Sequence, residues 1–256
     1  MIGLLVLGLL IILLVFPFYQ RRTHRALIRW WSGLLLRVCG VRVHVHHDEL
    51  SPDLNSSAND RGYLMLINHV SWLDIFVINQ NSAARFVAKS EIRSWPLVGF
   101  LVGGAGTIFI ERGRRRAVHH VLTTVAEHLS RDELVGIFPE GTTSSGTQLL
   151  PFHSNLVQAA INVERPVLPV ALMYRDSQGK QSDSVSFIDD TSFAQSILRV
   201  CGARQTYCEV HVGYPIATET GQTRHEITAL ARTQISTRLG FDLSDETPGI
   251  QRDRGA

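Results

Sequence analysis

Asn68-His69-Val70-Ser71-Trp72-Leu73-Asp74 sets an imidazole and a carboxylate five residues apart, where a short apolar run gives way to a helical pattern. A histidine of ordinary pKa, ~6.5, can take a proton from a hydroxyl near neutrality. A carboxylate on its other ring nitrogen would fix the tautomer and raise its basicity. The chemistry on offer is general-base activation by His69, with Asp74 as the orienting group. A His and an Asp this close also occur as a cap and a satisfied polar pair, so the surrounding sequence has to decide.

Phe138-Pro139-Glu140-Gly141-Thr142-Thr143-Ser144 is a second such group. Gly141 permits close backbone approach and the small hydroxyls add donors, which suits a phosphate or oxyanion held by main-chain N–H groups. Its plainer reading is a tight turn with Glu140 in solvent. In Gly106-Thr107-Ile108-Phe109-Ile110-Glu111-Arg112 a strand delivers an arginine to its carboxyl end, where a guanidinium can clamp phosphate through two hydrogen bonds. The glycines at 103, 104 and 106 make neither a GxGxxG nor a P-loop, which excludes those nucleotide sites. Without a GxSxG, a lipase of the nucleophile-elbow kind has no nucleophile. His44, His46 and His47 read as strand surface rather than metal ligands.

The elements that must position these groups follow from hydrophobic periodicity. Val41–His46 alternates as a half-buried strand and Ser51–Arg61 is a polar loop. Strands are expected at Tyr63–Asn68, Phe86–Ala88, Thr107–Ile110, Leu134–Phe138, Val167–Met173 and Thr206–Val212, with a weaker one at Val185–Ile188. Helices are expected at Trp72–Asn79, Trp95–Val102, Arg114–Leu129, Ser154–Val163, Phe193–Val200 and His225–Leu239. Alternating strands and helices with near-continuous apolar strands imply an α/β fold with a largely parallel sheet flanked by helices. Both main groups then fall at carboxyl ends of buried strands, where open α/β sheets collect their ligands.

The chain has 256 residues, 45% hydrophobic and 19% charged, enough for one large α/β domain and too apolar for disorder. A formal charge of +2 does not mark a nucleic-acid binder. Cys39, Cys201 and Cys208 are too few for a disulfide scaffold and form no CxxC. Met1–Phe16 is uncharged and, with Phe18 and Tyr19, approaches the ~20 residues that span a bilayer. The arginines follow this run rather than precede it, which fits a retained anchor and places the N-terminus outside, the rest on the cytoplasmic face. Ala26–Val38 suits an amphipathic helix in the headgroup layer, with Leu27, Trp30, Trp31, Leu34, Leu35 and Val38 on the apolar side.

The three groups, in this order, resemble the glycerolipid acyltransferase family of the 1-acylglycerol-3-phosphate O-acyltransferase type. Its NHxxxxD, GxxFIxR and FPEGTxS patterns are matched by residues 68–74, 106–112 and 138–144, and its proline-containing strand by Val167-Leu168-Pro169-Val170. Hydropathy divides the chain into a membrane segment and interfacial helix over 1–40, a domain over 41–241 and a polar tail over 242–256; the resemblance covers about residues 60–175 and implies that the domain is an acyltransferase. The resemblance further implies His69 as general base, Asp74 as its partner, and Arg112, Glu140, Gly141 and Thr142 around the lysolipid headgroup. The partners expected are a lysolipid acceptor, an acyl thioester donor (acyl-CoA or acyl carrier protein) and a membrane, with no cofactor, metal or nucleic acid. The acceptor expected is lysophosphatidic acid. Pro151-Phe152-His153-Ser154-Asn155 departs from the family's Pro-Phe-Lys-Ser-Gly and removes a permanent charge, so another acceptor such as a lyso-ornithine lipid is the alternative. A membrane-binding protein without activity, or a lipid hydrolase, are the rivals.

Overall fold

The computed structural model describes residues 3, 7–11, 21–54, 61–95, 98–111, 115–188, 191–203, 205–218 and 221–242. β2 (Leu64–Ile67) shows why the chain folds as it does. All four of its residues are buried, Met65 and Ile67 toward one face and Leu64 and Leu66 toward the other, so the strand needs cover on both sides. Burying each such side chain contributes about 1.5–3 kcal/mol. One face is covered by α1 (Arg21–Val38) and α2 (Asp74–Ser82), through Leu35, Leu36, Val77 and Ile78. The other packs on α4 (Arg115–Ser130), α5 (Val157–Asn162) and α7 (Arg224–Leu239), through Val121, Val125, Leu129, Ile227 and Ala231. α3 (Val98–Gly104) and α6 (Phe193–Gly202) are further helices.

The other strands are β1 (Val41–His47), β3 (Arg85–Lys89), β4 (Ile108–Ile110), β5 (Val135–Ile137), β6 (Val167–Asp176) and β7 (Thr206–Val212), in the order β1-β7-β6-β2-β5-β3-β4. Every pairing is parallel except β6 with β7. The mostly parallel α/β sheet is therefore as the sequence implies, with one antiparallel pair. Gly136 of β5 is fixed by close approach: a Cβ there would lie 2.6 Å from Cε1 of Phe86, whose ring crosses the strand at that point.

Several boundaries differ from the sequence reading. Val185–Ile188 is no strand; Phe187 N–H donates to the carbonyl of Val70 (3.1 Å), and its own carbonyl accepts from Thr143 Oγ1. Its apolar residues cover the site loops rather than extend the sheet. The expected helix Trp95–Val102 is instead a 3₁₀ turn at Ser90–Ser94 followed by α3. α1 begins at Arg21, and the stripe expected to face headgroups is divided. Leu35 is buried and Trp31 meets Phe76 edge-on (5.6 Å), while Trp30 and Val38 stay exposed.

Among the described residues, no helix is long and apolar enough to cross a membrane. The expected anchor over Met1–Tyr19 lies for the most part outside them. Residues 7–11 are helical, and a Cβ on Gly8 would meet Leu101 at 2.8 Å and Trp31 at 3.0 Å. Most of the polar tail over 242–256 also lies outside the described residues.

Candidate active site

β2 ends at Ile67, and the next residue replaces the ladder with its side chain. The Asn68 amide donates to the carbonyl of Leu172 (3.0 Å) and accepts from the same residue's N–H (2.7 Å), so β2 stays tied to β6 as its backbone turns away. His69 sits in that turn. Asp74, in the first turn of α2, reaches back over it. One carboxylate oxygen, Oδ2, accepts from His69 Nδ1 (2.8 Å) and from the N–H groups of Val70 (2.8 Å) and Ser71 (3.0 Å). The five-residue spacing works because these two N–H groups curl the loop around the carboxylate. With Nδ1–H donating to Asp74, the unprotonated nitrogen of a neutral ring is Nε2, the one a general base needs.

The second oxygen of Asp74 is taken too. Tyr174 of β6 donates its hydroxyl to Oδ1 (2.7 Å). Burial first, and then the Asp74 carboxylate, hold that phenol well above its ordinary pKa, so it remains a donor. Asp74 is itself fully buried, and four donors compensate its charge.

The 138–144 loop fixes the other side of His69. The Phe138 ring stacks on the imidazole (centroids 3.9 Å apart, planes at 13°) and is stacked in turn by Phe86. Ser144 N–H donates to the His69 carbonyl (2.8 Å), and Glu140 Oε1 accepts from His69 N–H (2.7 Å). Oε2 of Glu140 accepts from Leu150 N–H (3.0 Å). Burial pushes the Glu140 carboxyl up to about 7, against the two main-chain donors that pull it down. The turn closes with Gly141 N–H on the Phe138 carbonyl (3.0 Å), Gly141 taking a φ of +71° that favours glycine.

His69 and Asp74 are thus brought together as the sequence predicts. Glu140, expected at the headgroup, is buried instead and spends both oxygens on main chain, so it fastens two loops. Gly141 closes that turn and Thr142 is exposed beside it. Arg112 lies outside the described residues. His44 and His46 face Glu209 across the β1–β7 pair rather than standing alone on the surface. Among the described residues no group of three or more His, Cys, Asp or Glu side chains could hold a metal ion.

Sequence reasoning missed Tyr174. Alternation along β6 places it on the face of Val170 and Leu172, but only the fold shows that this face backs the loop after β2. Tyr174→Phe should lower turnover about tenfold with substrate KM little changed. Losing this donor concentrates charge toward His69, so the acid limb of the pH profile should move up. A lower melting temperature with an unmoved pH profile would reduce Tyr174 to packing.

His69 also lines a largely apolar cavity of about 1470 Å³, counting its open mouth. Leu27 and Trp31 of α1, Phe76 of α2, Leu101 of α3 and Phe193 of α6 form parts of its wall. Such a space fits a fatty chain with its reacting carbon beside an oriented base.

A family model described as Acyltransferase matches residues 42–173. A 1-acyl-sn-glycerol-3-phosphate acyltransferase of Neisseria gonorrhoeae is 46% identical over 128 residues, half of each chain, so this chain spans about half the length of that relative. A lyso-ornithine lipid O-acyltransferase of Pseudomonas aeruginosa is 32% identical over 227 residues, 88% of this chain and 81% of that one. The solved 1-acyl-sn-glycerophosphate (LPA) acyltransferase PlsC of Thermotoga maritima is similar in fold, with a TM-score of 0.66 and 18% identity over 93% of this chain and 94% of that one.

Proposed function

This chain belongs to the acyltransferase family, and on that premise we propose that it moves a fatty acyl chain from a thioester to the free hydroxyl of a lysophospholipid, most readily lysophosphatidic acid. The observation that carries the reading is the buried-carboxylate His69–Asp74 pair on the wall of an apolar cavity. His69 Nε2 takes the hydroxyl proton as the oxygen attacks the thioester carbonyl, and the tetrahedral oxyanion collapses. The C–S bond breaks, and the thiolate leaves with the proton that His69 returns. Asp74 holds the ring and supports its transient positive charge. No covalent enzyme intermediate and no cofactor enters this scheme, the donor being acyl-CoA or acyl carrier protein.

Gly141 and Thr142, with Arg112, are proposed to meet the headgroup, while Glu140 acts by holding His69 in place. A lyso-ornithine lipid is the second acceptor. It is favoured by His153 standing where the family pattern has lysine, and by relatives of that name matching most of this chain. The domain is proposed to work at the cytoplasmic membrane surface, with Met1–Tyr19 as its anchor and an outside N-terminus. Exposed Trp30, Trp95 and Phe100 lie on or beside elements that wall the cavity, which supports lipid contact at its mouth.

The test is transfer by the purified full chain, offered both acceptors and both donors. Product should form with at least one lysolipid and require it. Fatty acid released without an acceptor would make the protein a hydrolase, and no reaction with any pair would leave the membrane-binding rival. In membranes, the protein should resist high salt and need detergent; release by salt alone would remove the anchor.

A further inference from the structure

α2 buries an amide that takes no part in the proposed acyl transfer. Asn79 is 4% exposed, lines the apolar cavity, and its Oδ1 is buried without a hydrogen-bond partner. A buried carbonyl of this kind destabilises the fold unless something answers it, and native structures retain few. Asn79 follows Asp74 by five residues on the same helix, about 7.5 Å along its axis, so what answers it sits well away from the reacting carbonyl. A plain acyl chain in the cavity would offer this atom only methylenes and no donor.

We propose that Asn79 recognises a hydroxyl on the fatty chain in the cavity, several carbons from the carbon being transferred; this rests on the acyltransferase reading of the site. The chemistry of the orphan atom selects the group. Oδ1 is an acceptor, so a keto, ether or olefinic chain leaves it unsatisfied, whereas a hydroxyl donates to it and keeps lone pairs for the amide N–H₂. Ser32 of α1, 1% exposed, also lines this cavity and adds a second small polar group to it. A site built around a hydroxyl discriminates strongly against the chain lacking it, because its own polar group is then left unpaired. The hydroxyl belongs either to the acyl donor or to the chain already carried by the acceptor.

Two measurements on the purified full chain test this. In the first, stearate and 12-hydroxystearate displace a fluorescent fatty acid from the cavity. Wild type should bind the hydroxylated acid about tenfold more tightly, and Asn79→Leu, of similar volume, should erase or reverse that preference. Asn79→Ala serves if the leucine variant does not fold. In the second, kcat/KM is compared for hydroxylated and plain chains, once on the thioester and once on the lysolipid. Asn79→Leu should lower the ratio about tenfold in one arm, and that arm identifies which substrate brings the hydroxyl. Equal binding of the two acids by wild type, or ratios unmoved by the variants in both arms, would overturn the proposal. Absence of transfer with every donor would overturn the acyltransferase reading instead, and a hydroxyl preference in the displacement assay would still uphold Asn79 as the recognising group.

Discussion

Replacing His69 by alanine is expected to lower acyl transfer about 10²–10⁴-fold while the protein stays folded. The expectation of stability comes from the way His69 is held. Glu140 and Ser144 grip its main-chain N–H and carbonyl, contacts an alanine keeps. Asp74 loses one donor of four and retains Val70, Ser71 and Tyr174. What disappears is the ring, with its stacking on Phe138 and its proton-accepting nitrogen. A stability loss near 1 kcal/mol would be ordinary for such a change. Steady-state transfer and thermal melting of the same preparation check both halves. A variant of near-normal turnover would remove His69 from the mechanism.

Asp74→Asn should reduce turnover by a comparable ~10²–10⁴-fold and change acceptor KM much less. The amide fits with little rearrangement. Its oxygen can keep the Oδ2 position facing His69, Val70 and Ser71, and its N–H₂ then faces Tyr174, whose hydroxyl turns from donor to acceptor. The loop keeps its shape and loses one negative charge. That charge favours the imidazolium formed as the hydroxyl is deprotonated, so its loss appears in the transition state. Raised KM with intact kcat would show that Asp74 serves binding, contrary to this account.

The residues most readily read from sequence were those whose local pattern decides their place. Leu64–Ile67 and Val135–Ile137 announce strands buried on both faces, and the His-to-Asp spacing survives because the loop between them is closed by its own N–H groups. The resemblance puts Glu140 at a headgroup and the plainer reading of its glycine turn puts it in solvent; nothing local says that His69 N–H, 71 residues away, claims it. Val185–Ile188 carries apolar residues that mark burial without saying whether a sheet or a loop provides it. Tyr174 and Asn79 draw their importance from partners, or the lack of them, that only strand order and helix packing create.

The clamp around His69 also has a consequence for the order in which the protein comes into being. The base and its carboxylate lie five residues apart, but Ser144 follows His69 by 75 residues and Tyr174 follows Asp74 by 100. A chain emerging from the ribosome carries both reactive side chains long before the 138–144 loop or β6 exists to orient them. Contacts of such separation close late in folding. The half-made protein therefore carries its base and carboxylate without the partners that orient them, and reactivity arrives only when β6 docks beside β2. In pulse-labelled hydrogen exchange during refolding, the His69 amide should gain protection together with β6 and after α2; protection gained with α2 alone would show that the site assembles locally.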